Sequence, residues 1–182
     1  MTDVAVRALE AYEAWERVDE LSDVLVACVQ GGAGVSFMAS LTRHEADTFW
    51  RGVADGVSKH DRILIVAERD GSIVGTVQVL FAWPPNQPHR ADIGKMLVHP
   101  DARRQGIGAG LLEAAEDAAR AAGRTLLVLD TVTGGDAERL YARLGWTRVG
   151  EVPRFALMPD GQECSTTFFY KDLLAESRER AP

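Results

Sequence analysis

Two hydrophobic rhythms alternate along the chain, one repeating every two residues and one every three to four. Residues 4–9 read as a short strand. Residues 11–29 place Trp15, Val18, Leu21, Leu25 and Cys28 at helical spacings, which predicts one helix with a core-facing stripe that Gly31, Gly32 and Gly34 end. Thr42 followed three residues later by Glu45 is a capping box that opens a second helix through residue 57. Residues 62–68 and 72–83 are rich in strand-forming side chains and are joined by the hairpin signal Asp70-Gly71; Trp83-Pro84-Pro85-Asn86 breaks the second run. A further strand covers 90–98 and halts at Pro100. Helical spacing returns over 105–122, with Ile107, Leu111, Ala115 and Ala118 on one face and Gly123 as the stop. Residues 125–130 are almost wholly apolar, as in a strand buried on both faces. Asp136 caps a short helix over 137–144, and strands over 146–151 and 164–172 finish the sheet around Pro159-Asp160-Gly161. The order β-α-α-β-β-β-α-β-α-β-β is that of an α/β sheet domain.

Composition narrows the classes. A length of 182 residues suits one domain, expected over 1–174, with 175–182 as a fraying tail. With 20 basic and 27 acidic residues the net charge is −7, so no general nucleic-acid surface is expected and an anionic ligand needs a local site working against the mean field. Two cysteines and four scattered histidines offer neither a disulfide framework nor metal-ligand spacing, so no metal is expected. Residues 1–10 are charged rather than apolar, and no apolar run reaches the ~18 residues of a membrane helix. A cytoplasmic protein without membrane contact is the expectation.

The chemistry concentrates in Val98-His99-Pro100-Asp101-Ala102-Arg103-Arg104-Gln105-Gly106-Ile107-Gly108, where a strand ends, two arginines and two glycines follow, and a helix begins. Small residues let backbone N–H groups face outward, and the helix N-terminus adds positive potential, which together suit a phosphate or diphosphate. Gly106, Gly108 and Gly110 do not make the dinucleotide fingerprint, whose third glycine would fall at Leu111, and no Gly-Lys-Ser/Thr ending makes an ATP loop.

Arg103-x-x-Gly106-x-Gly108 between a strand and an amphipathic helix resembles motif A of the GCN5-related N-acetyltransferases, the GNAT superfamily. Leu140-Tyr141-Ala142-Arg143-Leu144-Gly145-Trp146 resembles that family's late helix and following strand, and the order of elements agrees over residues 4–172. The resemblance implies a mixed, mostly antiparallel, twisted sheet split between central parallel strands, with helices on both faces. It also implies an acetyl-CoA-dependent N-acetyltransferase, in which Met96, Leu97, Val98, Arg103, Arg104, Gln105, Gly106, Ile107, Gly108 and Tyr141 hold coenzyme A between the strands ending near Val98 and Asp130. Within the superfamily the chain is similar to the tabtoxin resistance protein type. Lys95-Met96-Leu97-Val98, Leu129-Asp130-Thr131, 148–153 and Pro159-Asp160-Gly161 carry this similarity. It implies a small amino-acid-like amine as acceptor, extending to an antimetabolite and hence to antibiotic resistance. A homodimer through the C-terminal strand is implied by resemblance alone.

Direct transfer needs a route for the amine proton and an acid for the departing thiolate. Tyr141 shares a helix face with Ala137, Leu140 and Leu144 and, by resemblance, is the acid. Asp130 closes the apolar run 126–129, and Asp92 stands on the strand leading to the loop, at the parity of Gly94, Met96 and Val98. Either carboxylate fits the base or a contact to a cationic substrate, and that choice stays open. Phe37, Trp83 and Phe155, with Ser36 and Met38, are candidates to line a closed aromatic acceptor pocket. Protein N-terminal or lysine acetylation, or a non-catalytic CoA sensor, are the alternatives.

Overall fold

Strand β1 (Val4–Ala8) leads into two helices, α1 (Ala11–Glu16) and α2 (Val18–Gln30), where the hydrophobic spacing predicts one; the computed structural model describes residues 4–175. Arg17 makes the break. Its guanidinium turns from the helix to Glu20, at 2.7 Å, to Glu68 and to the Gly71 carbonyl, at 2.8 Å, and so ties the helix junction to the following hairpin. Helix α3 (Arg43–Ser58) opens on the expected capping box, with Glu45 N–H donating to Thr42 Oγ1 at 3.2 Å and Thr42 N–H to Glu45 Oε2 at 2.8 Å.

Strands β2 (Arg62–Arg69), β3 (Ser72–Phe81) and β4 (Arg90–Val98) form an antiparallel meander, and β3 ends two residues before Trp83. Helix α4 (Ile107–Ala121) begins at Ile107, beyond the expected residue 105, because Arg104 and Gly106 take left-handed backbone with φ of 60° and 81°. Strand β5 (Leu126–Val132), helix α5 (Asp136–Arg143), and strands β6 (Thr147–Leu157) and β7 (Glu163–Asp172) complete the chain. Two residues extend β5, and six extend β6, past their expected ends at 130 and 151. A bulge between Val152 and Ala156, where Arg154 adopts a φ of 52°, lets β6 stay paired past Pro153.

The seven strands lie in the order β1-β2-β3-β4-β5-β7-β6, and every neighbouring pair is antiparallel except β4–β5. One face is covered by α1–α3 around Trp50, Leu21, Leu25 and Leu64, the other by α4 and α5 around Leu111, Leu112, Leu127 and Phe169. Among the described residues no helix is long and apolar enough to cross a membrane.

The parallel ladder is short. It joins Arg90–Asp92 to Leu126–Val128 and stops. The cause lies on β4, whose register against β3 slips between Thr76 and Gln78 around Lys95, which takes a φ of 48°. A bulge bends and over-twists its strand, and here it carries β4 away from β5, so beyond Asp92 the sheet opens into a cleft.

The bulge also corrects the expected parity. Ala91 and Ile93 face α4, but so do Met96 and Val98, while Leu97 packs with the α1–α3 cluster. Asp92 and Gly94 therefore do not share a face with Met96 and Val98, because the extra residue inverts the alternation between them.

Candidate functional site

At the far end of β4 a single 3₁₀ turn, Pro100–Ala102, precedes the glycine loop. No side chain caps α4 at Gly106, and the first-turn N–H groups of the helix have no acceptor among the described residues. That is the donor set an anion completes, so the loop fits the diphosphate of coenzyme A. A Cβ on Gly108 would lie 3.1 Å from Leu140 Cδ2 and 3.8 Å from Met96 Sδ, so the first turn of α4 sits tight between α5 and the cleft wall made by Met96 and Val98.

The arginines divide their work. Arg103 turns inward, its Nε donating to the Val98 carbonyl at 3.1 Å and its guanidinium lying against Cys28 Sγ at 3.9 Å, so it clasps the loop to the strand end. Gln105 likewise ties back, accepting from Arg69 at 3.2 Å. Both arginines remain exposed, and both bear electrostatically on Asp136 at the start of α5.

Tyr141 enters the cleft from α5. Its ring is buried against Trp146 and Phe169, with centroids 5.9 and 6.0 Å apart, and its hydroxyl has no hydrogen-bond partner among the described residues. Burial, reinforced by the negative charge of Asp130, pushes the phenol pKa up, so the hydroxyl keeps its proton at neutral pH.

Asp130 lies on β5 just past the last rung shared with β4, opposite Phe168 of β7. Leu127 and Leu129 face α4, so alternation turns Asp130 to the other side of the sheet. The carboxylate is open to the cleft, yet the walls withhold water and raise its pKa; Asp92 pushes the same way, and Lys95 opposes them. Asp92 is the less committed carboxylate, since its neighbour Arg90 pairs with it directly.

Lys95 is a site residue that the sequence reading did not single out. The bulge turns its side chain towards the α2–α3 loop, where Nζ donates to Ser36 Oγ at 3.2 Å and stands 5.8 and 5.7 Å from the ring centres of Phe37 and Phe49. Burial lowers its pKa and Asp130 resists that shift. The only advance signal was a charge next to Gly94 in an otherwise alternating strand.

The α2–α3 loop straddles the cleft. A Cβ on Gly31 would lie 3.7 Å from Pro100 Cγ on the β4 side, and one on Gly34 would lie 2.8 Å from Val132 Cγ2 and 3.1 Å from Met158 Sδ on the β5 side. Ala39 N–H donates to the Pro159 carbonyl at 3.0 Å. Ser36 and Phe37 thus sit on a strap fastened at both banks.

The other expected aromatic residues are spread apart. Phe155 rides the β6 bulge, stacks edge-on at 5.6 Å against Phe168, and so reaches the neighbourhood of Asp130. Trp83, at 89% exposure, borders a groove with Arg62, Arg90 and Asp92, on the far side of Asp92 from Phe37 and Phe155 in the strand register. Phe37, Trp83 and Phe155 therefore do not close one aromatic pocket: Trp83 stands exposed beyond the end of β3, and among the described residues no helix covers the β5–β7–β6 part of that face.

Comparisons with known proteins agree with this geometry. The family model described as "Acetyltransferase (GNAT) family" matches residues 30–146. The chain is 33% identical over 132 residues to an uncharacterized N-acetyltransferase in the hisH-hisA intergenic region of Azospirillum brasilense, covering 71% of this chain and 76% of that one. Among solved structures, an N-acetyltransferase from Staphylococcus aureus Mu50 superposes with a TM-score of 0.78 at 18% identity, over 94% of this chain and 99% of its own. The yncA protein of Salmonella typhimurium, solved with its cofactor acetyl-CoA, does so with a TM-score of 0.76 at 18% identity, over 93% and 94%. The split sheet, the uncapped glycine loop and the matched sequence establish that this chain belongs to the GNAT family and is an acetyl-CoA-dependent N-acetyltransferase.

Proposed function

We propose that the acceptor is the primary amine of a small, amino-acid-like molecule, and that Asp130 and Tyr141 handle the two protons of the transfer. The observation that carries this reading is their placement at the split, Asp130 on the strap side and Tyr141 on the α5 side. Acetyl-CoA, when bound, supplies an activated thioester carbonyl, and the residues around it bind, orient and move protons.

The uncapped N–H groups of α4 and the exposed Arg104 hold the phosphates. Met96 and Val98 wall the cleft below them. An incoming amine is protonated at neutral pH, with a pKa near ~10, and must lose that proton before attack. Asp130 draws the ammonium in as a carboxylate and accepts the proton at a carboxylate oxygen, a task its raised pKa suits. Asp92, paired to Arg90, adds negative potential at the same face. Tyr141 remains a phenol and donates its hydroxyl proton towards the departing sulfur. The Ser36–Phe37 strap narrows the approach over Asp130, which favours small acceptors.

A second reading, a protein or peptide amine, draws on the uncovered β5–β7–β6 surface, where Val152, Phe155 and Tyr170 are partly exposed. Turnover of acetyl-CoA against a pool of amino acids, β-lactam amino acids, aminoglycosides, polyamines and short peptides, read by product mass, separates the two. Acetylation of a small amine supports the first. Acetylation of peptides alone overturns it.

A further inference from the structure

Among the charged side chains on the strap side of the cleft, Lys95 has a distinctive balance. It is partly buried, yet no carboxylate among the described residues lies within ion-pair distance of it. An ammonium has three N–H donors, and Lys95 spends one, on Ser36 Oγ at 3.2 Å. The Phe37 and Phe49 rings, at 5.8 and 5.7 Å, favour the positive charge but accept no conventional hydrogen bond. Asp130 is near enough to hold up the lysine's pKa without closing on it.

The contacts also fix which ligand this group faces. Ser36, Phe37 and Phe49 belong to the α2–α3 loop and to α3, on the face opposite α4 and its glycine loop. The ammonium is thus turned away from the diphosphate and towards the acceptor. The result is a pair of opposite charges, Lys95 and Asp130, one on each bank of the same cleft and unpaired with each other.

We propose that Lys95 is the specificity-determining residue for the acceptor, receiving a carboxylate that the acceptor carries close to its reacting amine. This deepens the small-amine reading and rests on it. With the acceptor ammonium at Asp130 and its carboxylate at Lys95, each charge of a zwitterion meets its opposite, and the two idle N–H donors of Lys95 gain acceptors. The aromatic pair and Ser36 hold the ammonium in place before the acceptor arrives, which reduces the ordering cost of binding.

The test compares each amino acid that the enzyme turns over with its carboxamide, at saturating acetyl-CoA. Wild type is expected to favour the free acid in kcat/KM by about tenfold to a hundredfold, as for a charge-assisted hydrogen bond in a partly buried site. Lys95→Met, which keeps the length and apolar stem, removes this preference: losing the charge beside Asp130 alters turnover of both substrates, but KM rises far more for the acid than for the carboxamide. Lys95→Arg restores part of it. Calorimetric titration of the N-acetylated amino acid product into wild type and Lys95→Met, with thermal melts alongside, reads the same contact without turnover and identifies a variant that fails to fold. Equal kcat/KM for acid and carboxamide in wild type overturns the role of Lys95 while leaving the small-amine reading standing. Failure to turn over any small amine overturns both.

Discussion

Lys171→Met tests how Tyr141, the acid of the proposed mechanism, is held. Helix α5, which carries Tyr141, has only eight residues; its apolar face packs on the core, and its C-terminal end is tied to one buried network. Lys171 of β7 donates to both oxygens of Glu116 on α4, at 2.9 and 2.8 Å, and to the carbonyl of Leu144 at the end of α5, at 2.9 Å. Trp146, which packs on Tyr141, donates its indole N–H to the same Glu116 at 3.1 Å. Removing one partner of a buried ion pair typically costs about 3–5 kcal/mol, because the other charge stays behind without its counterion. Glu116 keeps the Trp146 N–H, and Arg120 Nη2 stands 3.9 Å away, so the cost belongs at the low end of that range. For a chain of this size about 3 kcal/mol lowers Tm by roughly 6–12 °C.

Calorimetric melts of wild type, Lys171→Met, Glu116→Met and the double variant measure this directly. The double variant should recover most of the loss, since a buried ion pair replaced by apolar groups of similar volume is often nearly neutral. It should remain about 1 kcal/mol below wild type, because the Trp146 N–H then lacks an acceptor. A burial-protected pair should also keep its effect in high salt. Losses that simply add in the double variant, or a Lys171→Met melt within about 2 °C of wild type, would refute the reasoning.

Three further outcomes follow from the site. Asp130→Asn should lower kcat by about 10²–10⁴. It should also leave Tm at pH 7 equal to or above wild type: a carboxylate whose folded pKa is raised stabilises the fold below the unfolded value and loses that contribution as pH rises through the folded value, so the Asn gain should shrink as pH falls and vanish in melts below the ordinary aspartate range. Tyr141→Phe should cut kcat by about 10² or more with acetyl-CoA affinity and Tm near wild type, since the hydroxyl gives up no hydrogen bond to the described residues; full turnover would make Tyr141 a packing residue. Gly34→Val should push the strap off Val132 at an overpacking cost of about 1–3 kcal/mol and raise the acceptor KM with acetyl-CoA affinity unchanged, measured by steady-state kinetics and equilibrium titration.

What the sequence made legible is what local chemistry decides. The Thr42–Glu45 box, the Asp70-Gly71 hairpin, the glycine spacing of the 103–108 loop and the inward face of Tyr141 each depend on residues a few positions apart, and each lies where expected. The break at Arg17 was not visible, because it depends on Glu68 and Gly71 about fifty residues away. The fastening of Gly34 to Val132 is equally non-local. The bulge at Lys95 is a property of the β3–β4 register, and a lysine at a φ of 48° gives no warning in composition, since glycine is the usual occupant of that region. Missing it assigned Asp92 to the wrong face and left the lysine out of the site.

That bulge explains why two opposite charges meet at the split. With unbroken alternation Lys95 would share the face of Ala91 and Ile93 and point into the apolar cluster beneath α4, where an ammonium has no partner. One extra residue puts it beside Gly94 on the face of Asp130 and returns Met96 and Val98 to line the coenzyme wall. Left-handed backbone at a non-glycine residue costs roughly 1–2 kcal/mol, and the chain adopts it both at Lys95 and at Ser36, whose φ is 74°. The two strained residues are joined by their own side chains, at 3.2 Å across the mouth of the cleft. His60, Asp70, Arg104 and Arg154 take the same backbone region in turns, the glycine loop and the β6 bulge; Ser36 and Lys95 instead meet each other at the cleft, and ligand recognition accounts for that pair better than folding does, because either residue as glycine would relieve its strain while leaving both hydrophobic clusters intact.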